Sequence, residues 1–140
     1  MQLSASVISA PTRSFFESLP VLQERVARLH FDVMDGTFVP RLGLHPELLG
    51  EIRSSTSLPI DIHAMTIRPE TWINVFADAG ATRFVAHLEA LDHPSGFLRK
   101  VREHGLEAGL ALNIDTDPKS LTYLLEELDS LTLMAINPGV

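Results

Sequence analysis

Short apolar runs alternate along this chain with longer stretches in which apolar residues recur at helical spacing. The apolar runs predict β-strands near residues 2–8, 28–33, 58–63, 82–87, 106–111 and 131–136. The stretches between them predict helices near residues 13–27, 46–55, 69–79, 95–104 and 117–127. Strands that alternate with helices are typical of βα units, which build a parallel sheet.

Proline, threonine and glycine residues mark most of the predicted helix ends. Pro20 lies inside the first predicted helix, where it removes a backbone hydrogen bond and is expected to interrupt or kink the helix. No charge block or low-complexity segment divides the chain, so residues 1–140 are expected to form one α/β domain. The start signals are Thr12, Pro69 and Pro118, and the stop signals are Gly80 and Gly105.

Composition excludes several classes of function. Of the 140 residues, 45% are hydrophobic, which is enough to fill a core. The net charge of −7 and the dispersed basic residues argue against a nucleic-acid partner. The chain has no cysteine, so a metal must be held by His, Asp or Glu. No apolar run approaches the roughly 20 residues that span a bilayer, so we expect a cytoplasmic protein without a membrane partner.

Polar side chains cluster where the predicted strands end, at the edge that carries the active site in barrel enzymes. The i and i+2 spacing puts His30 and Asp32 on one side of a strand, and His63 can face them from the next strand. Two imidazoles and a carboxylate predict a site for a divalent transition ion with open coordination positions. The polar residues at the strand ends are His30, Asp32, His63, His87, Glu89 and Asn113.

Six motifs occur in the order in which one enzyme family carries them. The first five are Ser6-Val7-Ile8-Ser9-Ala10, Asp32-Val33-Met34-Asp35-Gly36-Thr37-Phe38-Val39-Pro40, Asp61-Ile62-His63-Ala64-Met65, His87-Leu88-Glu89-Ala90 and Gly109-Leu110-Ala111-Leu112-Asn113. The sixth is Met134-Ala135-Ile136-Asn137-Pro138-Gly139. Together they resemble the ribulose-phosphate 3-epimerase family, whose members are (β/α)8 TIM barrels. The resemblance implies that residues 1–140 form a partial barrel domain with about the first six βα units.

The resemblance also implies roles for individual residues. Asp32 is the implied proton-transfer residue and a metal ligand, with His30 and His63 as further ligands. The implied cofactor is one divalent transition ion; the ligand types favour zinc, and iron, manganese and cobalt are alternatives. A sugar phosphate is the implied substrate, and a homo-oligomer is the expected assembly. The residues expected to contact the substrate are Ser6, Met34, His63, Met65, Met134 and Gly139.

The implied reaction inverts C3 of a ketose phosphate, converting ribulose 5-phosphate to xylulose 5-phosphate in the pentose phosphate pathway. A proton leaves one face of the substrate and returns to the other through a metal-stabilised enediolate. Nothing in the sequence matches the Val-Asp-Gly-Gly segment that supplies the family's second carboxylate, nor its glycine-rich phosphate loops after the seventh and eighth strands. We therefore expect the chain to be the front of a longer protein, and to be weak or inactive alone.

Three alternatives stay open. Pro11, Ala64 and Ile114 depart from the family pattern, so the substrate could be another ketose phosphate, such as allulose 6-phosphate. A truncated, non-catalytic relative could persist as a binding or assembly module. A decarboxylase of similar architecture would be expected to use a lysine near the second strand, but no lysine precedes Lys100.

Two further residues receive expectations of their own. His87 is expected to hydrogen-bond to the site instead of binding the metal. Asp35, next to a glycine, is expected to form a turn.

Overall fold

A single parallel sheet of six strands runs through residues 2–139, the part of the chain that the computed structural model describes. The strands pair in chain order, and the sheet curls into part of a barrel. This is the arrangement of the first six βα units of a (β/α)8 barrel, so the predicted fold class is confirmed. The strands are β1 Ser4–Ser6, β2 Arg28–Met34, β3 Ile60–Met65, β4 Arg83–His87, β5 Glu107–Leu112 and β6 Ser130–Leu133.

Four α-helices connect the first five strands within the described residues. Pro20 lies inside the first helix but does not interrupt it, because Phe15 and Leu19 on the same helix are buried in the core and hold it against the sheet. In residues 2–139 no helix combines the length and the apolar character needed to cross a membrane. The helices are α1 Thr12–Arg25, α2 Pro46–Ser55, α3 Ile73–Asp78 and α4 Pro94–Glu103.

The helix predicted over residues 117–127 is wrong. This segment forms two 3₁₀ turns, Pro118–Leu121 and Leu125–Glu127. The hydroxyls of Ser120 and Thr122 donate hydrogen bonds to backbone carbonyls three residues earlier. Such side-chain bonds compete with the bonds between residues i and i−4 that an α-helix requires.

Three other predicted elements are shorter than expected. The last strand, predicted at residues 131–136, covers Ser130–Leu133. The first strand covers only Ser4–Ser6, since a 3₁₀ turn follows at Val7–Ser9. The third helix is preceded by a 3₁₀ turn over Pro69–Thr71 and becomes α-helical only at Ile73.

The hydrophobic core lies between the outer face of the sheet and the helices. Alternate strand residues such as Phe31, Ile62 and Phe84 point to this side and are fully buried. Phe76 of α3 packs edge-on against Phe31, with ring centroids 6.0 Å apart. The inner face of the sheet is therefore left to the residues of opposite parity.

Four charged side chains occupy that inner face near the amino ends of the strands. Asp61 accepts hydrogen bonds from Arg28 at 2.8 Å and from Arg83 at 3.1 Å. Glu107 accepts bonds from the same two guanidinium groups, at 3.1 Å from Arg28 and 2.8 Å from Arg83. Because these residues come from β2, β3, β4 and β5, the network ties four adjacent strands together.

We predict that Asp61→Asn lowers the free energy of unfolding by about 2 kcal/mol. The substitution removes a largely buried charge that pairs with two arginines, while Glu107 continues to bind both guanidinium groups. Urea unfolding measures the change. The control is Glu17→Gln, which removes the exposed pair with Arg13 on α1 and is expected to cost less than about 0.5 kcal/mol. Equal losses in the two variants would contradict a structural role for the network.

Candidate metal centre

Three potential metal ligands meet on the inner face of the sheet. The pairing of β2 with β3 sets Asp32 opposite His63, and His30 lies two residues before Asp32 on the same face. Oδ1 of Asp32 lies 3.0 Å from Nε2 of His30 and 3.1 Å from Nδ1 of His63. One ligand atom from each residue lies within 4.8 Å of the others, and no second group of this kind occurs among residues 2–139.

The environment of the cluster keeps Asp32 ionised. Burial alone raises the pKa of Asp32, but hydrogen bonds from His30 and His63 outweigh burial and hold the pKa well below its usual range. Burial lowers the pKa of His30, but its hydrogen bond to Asp32 leaves the net shift upward. The second oxygen, Oδ2 of Asp32, accepts a hydrogen bond of 3.1 Å from the hydroxyl of Ser6.

A divalent transition ion fits this set of donors. Two imidazoles and an ionised carboxylate are the ligands that such ions use in sites with open positions. The donor atoms are close enough to surround one ion, because His30 and His63 both face the same carboxylate oxygen. The ligands predicted from the sequence are thus brought together.

The cluster opens into a cavity of about 400 Å³. A second cavity of about 360 Å³ lies between the loops after β3 and β4, near Arg68 and Lys100. Its lining residues include no group of His, Asp and Glu side chains placed to hold a metal ion. The larger cavity collects every residue that the sequence predicted for the site. These residues are Ser6, His30, Asp32, Met34, His63, Met65, Met134 and Gly139.

The loop after β2 forms one wall of the cavity. Val39 is buried against Met34 and Met65. Gly139, with a φ of 78°, packs so closely that an added Cβ would lie 2.8 Å from the Cβ of Val39. Arg41 donates a hydrogen bond of 3.2 Å to the carbonyl of Gly139. The loop and the segment after β6 therefore meet across the cavity.

Sequence reasoning did not assign six of the lining residues to the site, and two of them, Arg41 and Thr132, lie outside the six motifs. Arg41 lines the cavity just beyond the motif that ends at Pro40, and only the folded loop shows that its side chain turns inward. Thr132 also lines it, and its parity with Met134 on the last predicted strand was a signal that could have identified it.

Asp35 forms the expected turn and also joins two loops. Its Oδ1 accepts hydrogen bonds of 2.8 Å from the backbone N–H groups of Thr37 and Phe38. Its Oδ2 accepts a bond of 2.8 Å from the N–H of Ile67, in the loop after β3. Burial is the largest single influence and raises the pKa of Asp35, but these three hydrogen bonds together lower that pKa below its usual value.

A second layer of polar side chains lies behind His63. His87 is fully buried, and its Nε2 lies 2.9 Å from Nε2 of His63, in agreement with the expectation of a hydrogen bond. Burial is the main cause that lowers the pKa of His87 to about 4; His63 acts in the same direction and Glu89 against it. Burial raises the pKa of Glu89, but bonds from Thr116 and Asn113 leave it lower than usual.

Comparison with known proteins shows what the chain resembles. The profile of the Ribulose-phosphate 3 epimerase family matches residues 2–140. Ribulose-phosphate 3-epimerase of Rhodospirillum rubrum is 44% identical over 111 residues, covering 79% of this chain and 49% of the relative. The Bacillus subtilis enzyme is 33% identical over 140 residues, covering 99% and 64%. The chain thus spans about half to two thirds of the length of these relatives.

Solved structures support the same fold. A mutant tryptophan synthase α-subunit from Pyrococcus furiosus superposes with a TM-score of 0.66 over 93% of this chain and 63% of the other. The sequence identity is 14%, so this likeness concerns the fold alone.

We predict opposite effects on stability for two glycine substitutions. An added Cβ at Gly43 would lie 2.4 Å from the backbone nitrogen of Met34 and 2.7 Å from the carbonyl oxygen of Asp32. Gly43→Ala should therefore push the loop away from β2 and destabilise the fold by about 2 kcal/mol. Gly50→Ala, on the open side of α2, should stabilise it by roughly 0.5–1 kcal/mol. Urea unfolding measures both changes in unfolding free energy. Changes of the same sign would contradict the close packing of Gly43 against β2.

We also predict a pH-dependent contribution from Asp35. The pKa of Asp35 is lower in the folded state than in the unfolded state. Its carboxylate therefore stabilises the fold above about pH 4, and this contribution is lost as the pH falls through the pKa of the folded state. The difference in unfolding free energy between the native chain and Asp35→Asn should therefore shrink from pH 6 to pH 3. Asp92→Asn, at the exposed surface, controls for the loss of one carboxylate. If the difference in unfolding free energy were equal at both pH values, the hydrogen bonds to the Asp35 carboxylate would not contribute to stability.

Proposed function

Because the chain belongs to the ribulose-phosphate 3-epimerase family, we propose that it provides the metal-binding half of a catalytic site that inverts C3 of a ketose phosphate. The proposed reaction converts D-ribulose 5-phosphate to D-xylulose 5-phosphate. The observation that carries the proposal is the convergence of His30, Asp32 and His63 at a cavity large enough for a sugar phosphate.

Asp32 is the proposed base. It is ionised, and its two oxygens have different surroundings: His30 and His63 face Oδ1, whereas the Ser6 hydroxyl bonds to Oδ2. We therefore assign proton transfer to Oδ2. The C3–H bond breaks, the proton passes to Oδ2, and the electron pair delocalises toward the neighbouring ketone oxygen to give an enediolate.

His30, Asp32 and His63 are the proposed ligands of one divalent ion. Zinc suits two imidazoles and a carboxylate best, and iron, manganese and cobalt are the alternatives. When bound, the ion supplies positive charge to the oxygen atoms on which negative charge develops.

The remaining lining residues hold the substrate and exclude water. Met34 and Met65 are buried against Val39 and give the cavity an apolar, polarizable wall beside Asp32. Met134 extends that wall from the segment after β6. We propose that Gly139 and Arg41, which meet at the opposite rim, contact the phosphorylated end of the substrate.

Inversion needs a second acid on the opposite face of the substrate, and Asp32 is the only carboxylate among the described residues that line the cavity. With one carboxylate, a proton removed from C3 returns to the face it left. We therefore expect these 140 residues to exchange the C3 proton with solvent faster than they invert C3.

The wider setting follows from the family and is proposed with it. We propose a place in the pentose phosphate pathway, a cytoplasmic location and assembly into a homo-oligomer. An epimerase for another ketose phosphate and a non-catalytic relative are the competing outcomes of the experiment below.

We predict that the Zn²⁺-loaded chain exchanges the C3 proton of ribulose 5-phosphate with D₂O, as observed by NMR. Asp32→Asn should lower the exchange rate by a factor of at least about 100, because proton transfer by a positioned carboxylate contributes that much. Asp115→Asn, an exposed aspartate, is the matched control and should leave the rate unchanged. Chelation should abolish the exchange, and added Zn²⁺ should restore it.

Three outcomes would overturn the proposal. Full exchange by Asp32→Asn would remove Asp32 from the mechanism. Preferential exchange with allulose 6-phosphate would change the substrate. Binding of metal and sugar phosphate without any exchange would favour the non-catalytic relative.

A further inference from the structure

We infer that Glu89 and His87 form a positioning relay behind His63, which holds the proton of His63 on Nε2 when a metal ion takes the place of the Nδ1 proton that faces Asp32, so that Nδ1 is the ligand atom. The inference rests on the proposed function in one respect only, the use of His63 as a metal ligand. It assigns to His87 and Glu89 a task that neither performs by touching the metal or the substrate.

Both ring nitrogens of His63 have polar partners. Nδ1 lies 3.1 Å from Oδ1 of Asp32, on the side of the metal cluster. Nε2 lies 2.9 Å from Nε2 of His87. The two rings are 30° from coplanar, with centroids 5.0 Å apart, so the two Nε2 atoms point at each other along the line that joins the rings.

Proton counting selects one arrangement. Two nitrogens 2.9 Å apart share one proton, so one of them donates and the other accepts. If His63 binds a metal through Nδ1, that nitrogen carries no proton, and the proton of the ring lies on Nε2. His87 then accepts at its Nε2 and carries its own proton on Nδ1. The reverse arrangement puts a proton on Nδ1 of His63 and blocks the metal.

Glu89 favours the productive arrangement. Nδ1 of His87 is buried and has no hydrogen-bond partner among the described residues, and Oε2 of Glu89 lies 3.4 Å from it. An ionised carboxylate accepts hydrogen bonds and cannot donate one, so Glu89 stabilises the form of His87 that carries its proton on Nδ1. Its other oxygen is held by the backbone N–H of Asn113 at 2.8 Å and by the hydroxyl of Thr116.

The packing around the two imidazoles keeps them in place. His87 is fully buried and its ring contacts Phe38, with centroids 4.9 Å apart. Because His63 is buried as well, water has little access with which to replace the hydrogen bond between the two rings. The three members lie on or just after β3 and β4, and the loop after β5 anchors Glu89, so the relay is built into three neighbouring strands.

The first test measures Zn²⁺ affinity of the 140-residue chain by calorimetry. Glu89→Gln keeps an acceptor for Asn113 and Thr116 but removes the charge that faces His87. We expect it to weaken Zn²⁺ binding about 10-fold or more, the usual effect of losing a partner that orients a metal ligand. Glu70→Gln, an exposed glutamate outside the cluster, is the control and should bind Zn²⁺ as tightly as the native chain.

The second test observes the protons directly by ¹⁵N NMR of the histidine rings. In the Zn²⁺ form, His63 should be protonated at Nε2 and His87 at Nδ1. His87→Leu removes the acceptor without burying a new polar group, and adding Glu89→Gln to it should weaken binding little further, because the two residues act through one path. Urea unfolding of each variant reports whether the fold is intact.

The results separate this inference from the proposed reaction. A proton on Nδ1 of His63 in the Zn²⁺ form, or unchanged affinity in Glu89→Gln, would overturn the relay. Failure of Zn²⁺ to bind His63 in the native chain would also overturn it. Tight Zn²⁺ binding with the expected protonation but no exchange at C3 would leave the relay standing and refute the epimerase mechanism.

Discussion

The pairing register between β2 and β3 is the constraint on which the rest of this molecule depends. It sets Phe31 opposite Ile62 on the outer face and Asp32 opposite His63 on the inner face. Since side chains alternate along a strand, a slip of one residue would carry the carboxylate into the apolar layer and a phenyl ring into the cavity. Burial of the apolar set and pairing of the polar set thus enforce the same alignment.

The inner face of the sheet separates two kinds of charged site along the same strands. Asp61 and His63 are two residues apart on β3, yet Asp61 has two arginine partners and His63 has a carboxylate and another imidazole. Near the amino ends, charges of opposite sign neutralise one another and hold the strands. Near the carboxyl ends, no arginine within residues 2–139 bonds to Asp32, so its charge stays available for a cation.

The sequence was most informative where side-chain direction follows from local geometry. The i and i+2 positions of His30 and Asp32 on one strand determine their common side, whatever the loops do. Loop positions carry no such rule, which is why the inward turn of Arg41 was missed. The segment that begins at Pro118 has apolar residues at helical spacing, but hydroxyl groups beside the backbone favoured 3₁₀ turns. Pro20 shows the opposite case, in which tertiary packing outweighs a local helix breaker.

The bonds that Asp35 makes with the two loops have a consequence for molecular recognition. Asp35 fixes one end of the loop after β2, and pairing of Gly43 and Leu44 with the carbonyls of Met34 and Asp32 fixes the other. The conformational entropy of this wall is therefore lost during folding, before any ligand arrives. A molecule that enters the cavity meets a surface already in its bound shape, so its affinity is not reduced by the need to order that segment.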